Sequence, residues 1–198
     1  RIAPGLTAAI DRAVELCSQT LQYAHDGTPE PEYGNFSIAA LIDEVSKEMI
    51  GAWGGAESRA ENQGFVCENQ LDGALMIEAD RSQLFRVLSN LILNAVNAGA
   101  GRVTITGARD GNTITMDVAD DGPGIPAQIR ERLFQPFSAS GRAGGTGLGL
   151  AIARDLMRGH GGDIVLAATE DTGAVFHLTL PADRRRGGRA GTEWNEIG

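Results

Sequence analysis

Little in this sequence speaks for a metal cage or a disulfide framework. Of 198 residues only Cys17 and Cys67 are cysteine, with no C-x-x-C and no histidine at metal-ligand spacing. A covalently stapled secreted domain and a zinc site are both disfavoured, and a reducing cytosol fits better. Basic residues are also short: 17 Lys plus Arg stand against 26 Asp plus Glu, for a net charge of −9. Without a basic stripe, nucleic acid is not the main partner, because phosphate contacts need clustered cations. The longest charge-free run, Val87 to Gly101, carries Asn90, Asn94 and Asn97. It is too short and too polar to span a bilayer, so no membrane segment is expected. The sequence opens on Arg1 with no signal-like stretch and reads as a piece of something longer.

What is present suffices for a core. Hydrophobic residues make up 42% and charged residues 22%, which excludes a disordered, highly charged chain. The length allows one ordinary domain plus an extra element. Glycine is abundant, at 27 residues, roughly twice the usual share of about 7%. Where the glycines sit matters more than how many there are.

Leu6, Ile10, Ala13, Cys17, Leu21 and Ala24 recur at steps of four and three, one apolar stripe on an N-terminal helix within residues 1–25. Such a stripe predicts burial in a helical bundle, with a second copy as one partner. Asp26-Gly27-Thr28-Pro29-Glu30-Pro31-Glu32 breaks the pattern, so 26–35 reads as a linker. Ser37 can cap a second helix carrying Leu41, Ile42, Val45 and Met49. Strand-like runs follow at Gly64 to Leu71 and Ala74 to Ala79. Asp80 then opens a long helix with Gln83 completing a capping box, Leu84, Leu88, Leu91 and Ala95 inward, and Gly99 as its stop. Val103 to Thr106 and Ile114 to Val118 alternate as a hairpin around Asp110-Gly111-Asn112. Short helices at Ala127 to Leu133 and Leu148 to Met157, then strands at Ile164 to Ala168 and Ala174 to Leu180, complete the domain. Residues 182–198 read as a solvated tail. The order predicts an α/β (α+β) two-layer sandwich, with helices on one face of a mixed, largely antiparallel sheet.

Three stretches carry chemistry. Asn90, Asn94 and Asn97 lie four and three apart, on one side of a helix otherwise rich in Leu and Ile. They form either a solvated polar face or a set of neutral oxygen ligands; Asn is a poor helix former, which favours a purpose. Mg²⁺ suits the second option, taking one or two protein oxygens and completing its shell with phosphate and water. The second stretch is Asp120-Asp121-Gly122-Pro123-Gly124-Ile125 at a strand exit. It reads either as a tight turn or as a loop where backbone and a carboxylate approach a ligand. In the third, Gly144-Gly145-Thr146-Gly147-Leu148-Gly149 runs straight into an apolar helix, where free N–H groups and the helix dipole suit a phosphate. It fits neither the dinucleotide nor the P-loop pattern. Phe134-Gln135-Pro136-Phe137 and a small-residue stretch precede it, like a lid anchored at one end.

Taken in order, Asn-x-x-x-Asn, Asp-x-Gly-x-Gly, Phe-x-x-Phe and Gly-x-Gly-x-Gly resemble the ATP-binding catalytic domain of sensor histidine kinases. That family shares its nucleotide fold, the Bergerat fold, with Hsp90-type chaperones, type II topoisomerases and mismatch-repair ATPases. The resemblance covers about residues 36–181. It implies ATP and Mg²⁺ as cofactors, with Asn94 on the metal and Asn90 near the phosphates as the catalytic position. It further implies that Asp120 accepts from the adenine amino group, with Gly122, Gly124 and Ile125 lining that pocket. Phe134 and Phe137 would anchor the lid, and Gly145, Thr146, Gly147, Leu148 and Gly149 would fold over the triphosphate. Arg142, the one cation between Phe137 and Thr146, becomes a phosphate contact. Asn97 stands where many members carry Lys, Arg or His, which removes a charge from the phosphate side.

Members that hydrolyse ATP through an activated water carry Glu at the position of Asn90. An amide cannot act as that base, so transfer to a protein acceptor is favoured over an ATPase clamp. Intact Asp120, Gly122, Gly124 and Gly147 disfavour the other alternative, a kinase-like module without nucleotide. His25, His160 and His177 all read as structural or solvated. The resemblance therefore implies a phosphoacceptor outside this sequence and a response regulator as onward partner. It also implies a homodimer for the full-length protein and a cytoplasmic location for this part.

Overall fold

The computed structural model describes residues 30–53, 64–138, 147–167 and 173–183. The stripe of residues 1–25, His25, and the tail from residue 184 onward lie outside the described residues.

Strand β1 (Gly34–Ser37) leads into helix α1 (Ile38–Trp53), followed by β2 (Val66–Asn69) and β3 (Met76–Ala79). Helix α2 (Arg81–Ala98) comes next, then the long hairpin β4 (Arg102–Asp110) and β5 (Thr113–Asp120). A single helical turn α3 (Ala127–Arg130), helix α4 (Gly149–Gly159), and strands β6 (Asp163–Leu166) and β7 (Val175–Pro181) complete the domain. The expected helix over Ala127 to Leu133 is thus shorter, and the last helix begins one residue later than its sequence signal.

The main sheet has five strands in the order β2-β4-β5-β7-β6. Only β2 with β4 is parallel; the other three pairings are antiparallel. A mixed, largely antiparallel sheet with helices packed on it is the expected architecture. The sequence signals missed β1, which pairs antiparallel with β3 in a separate two-stranded sheet, Phe36 opposite Ile77. Ser37, read as the cap of α1, does accept from Ala40 N–H at 3.3 Å, and its hydroxyl also donates to Gly73 O at 3.0 Å.

Period decides which side of each element is buried. Ile38, Leu41, Ile42 and Val45 of α1 are fully buried, as are Leu84, Val87, Leu88, Leu91 and Ile92 of α2. They meet the inward side chains Val103 and Ile105 of β4, Ile114, Met116 and Val118 of β5, and Phe176, Leu178 and Leu180 of β7. Helix α4 packs beside α2 with Ile152, Leu156 and Met157 inward. The long helix α2 is thereby fixed by its leucines, and its asparagine side turns toward the start of α4.

The N-terminus of α2 is held by a buried carboxylate. Asp80 accepts from Ser82 N–H at 2.9 Å and from Gln83 N–H at 3.1 Å. The expected capping box differs in its return half. Asp80 N–H donates to His160 Nε2 at 3.0 Å, while His160 Nδ1 lies 2.8 Å from Leu156 O. The two bonds together require a neutral ring with its proton on Nδ1. His160 thus joins the start of α2 to the end of α4.

Candidate functional site

The polar side of α2 is graded. Asn90 and Asn94 are half-buried and Asn97 is exposed. Asn90 Nδ2 donates to Gly149 O at 3.1 Å, which ties the middle of α2 to the first residue of α4. A Cβ at position 149 would lie 3.5 Å from Asn90 Oδ1, so the helix start sits directly on that amide. One turn further along, Asn94 Nδ2 is enclosed with no hydrogen-bond partner among the described residues. An unspent buried donor costs about 1–3 kcal/mol, so this amide is not there for the stability of the fold.

Helix α4 adds the second wall. Ile152 N–H donates to Leu148 O at 2.9 Å, and the N–H groups of a helix's first turn point outward from its N-terminus. Leu148 is fully buried and anchors this end in the core. Gly147 O accepts from Phe137 N–H at 3.1 Å, which brings together the two ends of the stretch between them. Of the sequence-predicted residues in that stretch, Arg142, Gly145 and Thr146 lie outside the described residues.

The loop leaving β5 carries the next group of predicted residues. Asp120 Oδ1 accepts from Gly122 N–H at 2.9 Å. Burial pushes the Asp120 carboxyl above its ordinary value of 3.8, with the Gly122 and Ala174 backbone bonds opposing and the Asp121 charge adding to the rise. Glycine is required at two places here. A Cβ on Gly122 would lie 2.8 Å from Asp120 Oδ1, and Gly124 has φ +72 with Gly173 O only 3.1 Å from where its Cβ would stand. Ile125 packs against the core from this loop.

The two phenylalanines differ. Phe134 stands edge-on to Phe176 at a centroid distance of 6.4 Å and lies under the Arg154 guanidinium at 4.8 Å. Arg154 is held by Asp163 through bonds of 2.8 and 3.0 Å. That ion pair brings the Asp163 carboxyl down to about 2. Phe137 instead has 53% of its surface exposed and a positive φ of 63, so it contributes its backbone bond to Gly147 rather than side-chain packing.

The structure thus places Asn90 and Asn94 beside the start of α4 at Gly149, and Asp120, Gly122 and Gly124 at a strand exit. Sequence reading did not anticipate Arg154, Asp163 or Gly173 as supports of this region. A cation on a helix and a glycine before a strand are ordinary signals, and Gly173 meets its partners, Asp120 and Gly122, some fifty positions away. A shallow depression on α1, lined by Ala40, Asp43, Glu44, Lys47 and Glu48, lies apart from these residues. Three acids there against one lysine would repel an anion.

Residues 79–184 match the model of the family described as histidine kinase-, DNA gyrase B-, and HSP90-like ATPase. The sensor histidine kinase ZraS of Escherichia coli O157:H7 is 40% identical over 112 residues, 56% of this chain and 24% of that protein. Full-length ShkA, solved in complex with AMPPNP, superposes with a TM-score of 0.73 at 29% identity, covering 89% of this chain and 37% of that one. The histidine kinase ThkA, solved with the response regulator protein TrrA, gives 0.70 at 28% identity, covering 91% of this chain and 50% of that one. The chain spans between 16% and 39% of the length of the first curated relatives it matches.

Proposed function

The chain belongs to the histidine kinase-, DNA gyrase B- and HSP90-like ATPase family, and from that premise we propose that it is the ATP-binding catalytic part of a sensor histidine kinase. It would pass the γ-phosphate of ATP to a histidine carried outside these 198 residues, from which a response-regulator Asp receives it. The observation that carries this reading is the bond from Asn90 to Gly149 O. It sets an amide-lined helix face against the donor-rich start of a second helix, an arrangement suited to a polyphosphate.

Asp120 accepts from the exocyclic amine of adenine, and the missing side chains of Gly122 and Gly124 let the base approach, with Ile125 beside it. Asn90, the backbone of Gly147 and Leu148, and the first turn of α4 from Gly149 position the phosphates; Gly145, Thr146 and Arg142 cover them. Phe134 and Phe137 hold the near end of that covering stretch. Asn97 leaves the outer phosphate side uncharged.

A metal ion is compatible with the donor set. Among the described residues no group of three or more His, Cys, Asp or Glu could hold a metal, so a cage built from protein alone is not offered. Asn94 supplies a neutral oxygen on an amide whose nitrogen is unspent, which suits Mg²⁺ completed by phosphate oxygens and water. Mg²⁺, when bound, supplies charge neutralisation between phosphate oxygens. The chain's own contribution is orientation and fixed dipoles. Asn90 has no basic lone pair to deprotonate water, which favours transfer to histidine over hydrolysis.

Residues 36–181 would be the catalytic domain, 26–35 a linker, 1–25 the second helix of a dimerising hairpin, and 182–198 a tail. The full-length protein would then be a homodimer, with this part facing the cytoplasm; among the described residues no helix is long and apolar enough to cross a membrane. Calorimetry with ADP, with and without Mg²⁺, tests the reading: metal-dependent binding is expected, and none at millimolar ADP points to a module that keeps only the fold. With labelled ATP and no acceptor, phosphate release should be negligible. Rapid release would indicate an ATPase clamp.

A further inference from the structure

The loop bearing Asp120 is held from both sides by residues other than the specified Asp and Gly positions of its Asp-x-Gly-x-Gly pattern. On one side Asp121, at the first unspecified position of that pattern, reaches back to the turn between α2 and β4. Its Oδ1 accepts from Gly101 N–H and from Arg102 N–H, each at 2.8 Å, and its own N–H donates to Arg102 O at 3.2 Å. One exposed carboxylate thus makes charge-assisted bonds to two consecutive backbone donors. On the other side stands Gly173, which opens the approach to β7. Its N–H donates to Gly122 O at 2.6 Å, and Asp120 N–H donates to Ala174 O at 2.9 Å. Gly173 has φ +85, and a Cβ there would fall well inside contact distance of the Asp120 carbonyl oxygen. Its own carbonyl oxygen stands 3.1 Å from where a Cβ on Gly124 would be. The backbone of residues 120–124 is therefore pinned between the C-terminal end of α2, the helix that carries Asn90 and Asn94, and the start of β7.

We infer that Asp121 and Gly173 are positioning residues for base recognition, acting through Asp120 by fixing where its carboxylate meets the exocyclic amine of the purine. The inference rests on the nucleotide-binding reading above. Neither residue touches the base. Their effect appears as discrimination between bases, because an amine donor must reach a carboxylate within hydrogen-bond distance and alignment, whereas phosphate contacts on α2 and α4 are made elsewhere.

The test compares ADP with inosine diphosphate, which lacks the exocyclic amine, by competition calorimetry on the whole chain with Mg²⁺. Wild type should prefer ADP. Asp121→Ala should reduce ADP affinity about tenfold, the equivalent of one charge-assisted hydrogen bond, and leave inosine diphosphate affinity within about twofold, so that the preference collapses. Asp121→Asn should restore most of the preference, because its amide oxygen can accept from the same two N–H groups. Gly173→Ala should act like Asp121→Ala; since its backbone conformation strains any side chain, its folding is checked first and the Asp121 pair decides the matter if it fails to fold. An unchanged preference in Asp121→Ala overturns the inference. So does a parallel loss for both nucleotides, which would mark a merely structural role, or an Asn variant as impaired as the Ala variant. A wild type that binds neither nucleotide removes the nucleotide reading itself, and a wild type that binds both equally well shows that Asp120 does not read the amine.

Discussion

Replacing Asp80 by Ala tests whether α2, the helix that presents both key asparagines, depends on a single buried carboxylate. Asp80 is only 6% exposed, yet it accepts from the Ser82 hydroxyl at 2.7 Å, Ser82 N–H at 2.9 Å, Gln83 N–H at 3.1 Å and Glu32 N–H at 2.9 Å. Loss of an N-cap side chain costs about 1 kcal/mol. The Glu32 N–H and the Ser82 hydroxyl sit on exposed residues where water replaces part of what is lost, so they add about 1 kcal/mol between them. A total of about 2 kcal/mol corresponds, for a domain of this size, to a fall in Tm of about 4–8 °C. Thermal unfolding followed by circular dichroism at pH 7 reads this directly, and Asp80→Asn, which keeps one acceptor, should fall between Ala and wild type.

The same residue predicts a pH signature. Burial alone would raise its carboxyl; the Ser82 hydroxyl with the Glu32, Gln83 and Ser82 N–H groups outweighs it and holds the group below 3.8. A carboxyl depressed in the folded state stabilises above its unfolded value and ceases to do so as pH falls through the folded value. The gap between wild type and Asp80→Ala should therefore be full near neutrality and close toward the acid end. A drop of less than 1 °C at pH 7, or a gap that persists undiminished in acid, would refute the reasoning.

Four further outcomes follow from the site. Asn94→Ala should weaken Mg²⁺-dependent ADP binding while leaving metal-free binding near its wild-type level, which calorimetry with and without EDTA separates. Because burial raises the Asp120 carboxyl above 3.8, ADP affinity should decline as pH is lowered at a higher pH than an ordinary Asp would cause. Asp120→Asn should flatten that dependence at a low affinity, and a variant as sensitive as wild type would assign the titration elsewhere. Phe134→Ala should cost about 2 kcal/mol by denaturant titration, since it removes a half-buried ring and an edge-on aromatic contact. Asp163→Asn breaks an ion pair whose carboxylate is 35% exposed, so solvent screening limits the loss to about 1 kcal/mol or less. That loss should be present above pH 3.8 and vanish as pH falls through about 2.

The parts of this fold that sequence discloses are those in which cause and effect lie within one element. The alternation of β4 and β5 fixes which side chains face the helices, and the leucine period of α2 forces Asn90 and Asn94 onto the opposite side before any neighbour is known. What sequence does not disclose lies between elements. Four residues of β1 gain their strand character from pairing with β3 some forty positions away, and within Gly34–Ser37 nothing alternates strongly enough to announce it. The return half of the capping box fails for the same reason: the acceptor for Asp80 N–H comes from His160, eighty positions downstream, and outcompetes the local Gln83 that the pattern nominates. Gly173 carries an ordinary turn signal, and only the fold shows that its missing Cβ makes room for the Asp120 carbonyl. Local rules thus place the groups that would meet a nucleotide, whereas the groups that hold them in register come from distant chain. Substitutions that spare every recognisable box can for that reason still misplace the carboxylate or the amides they surround.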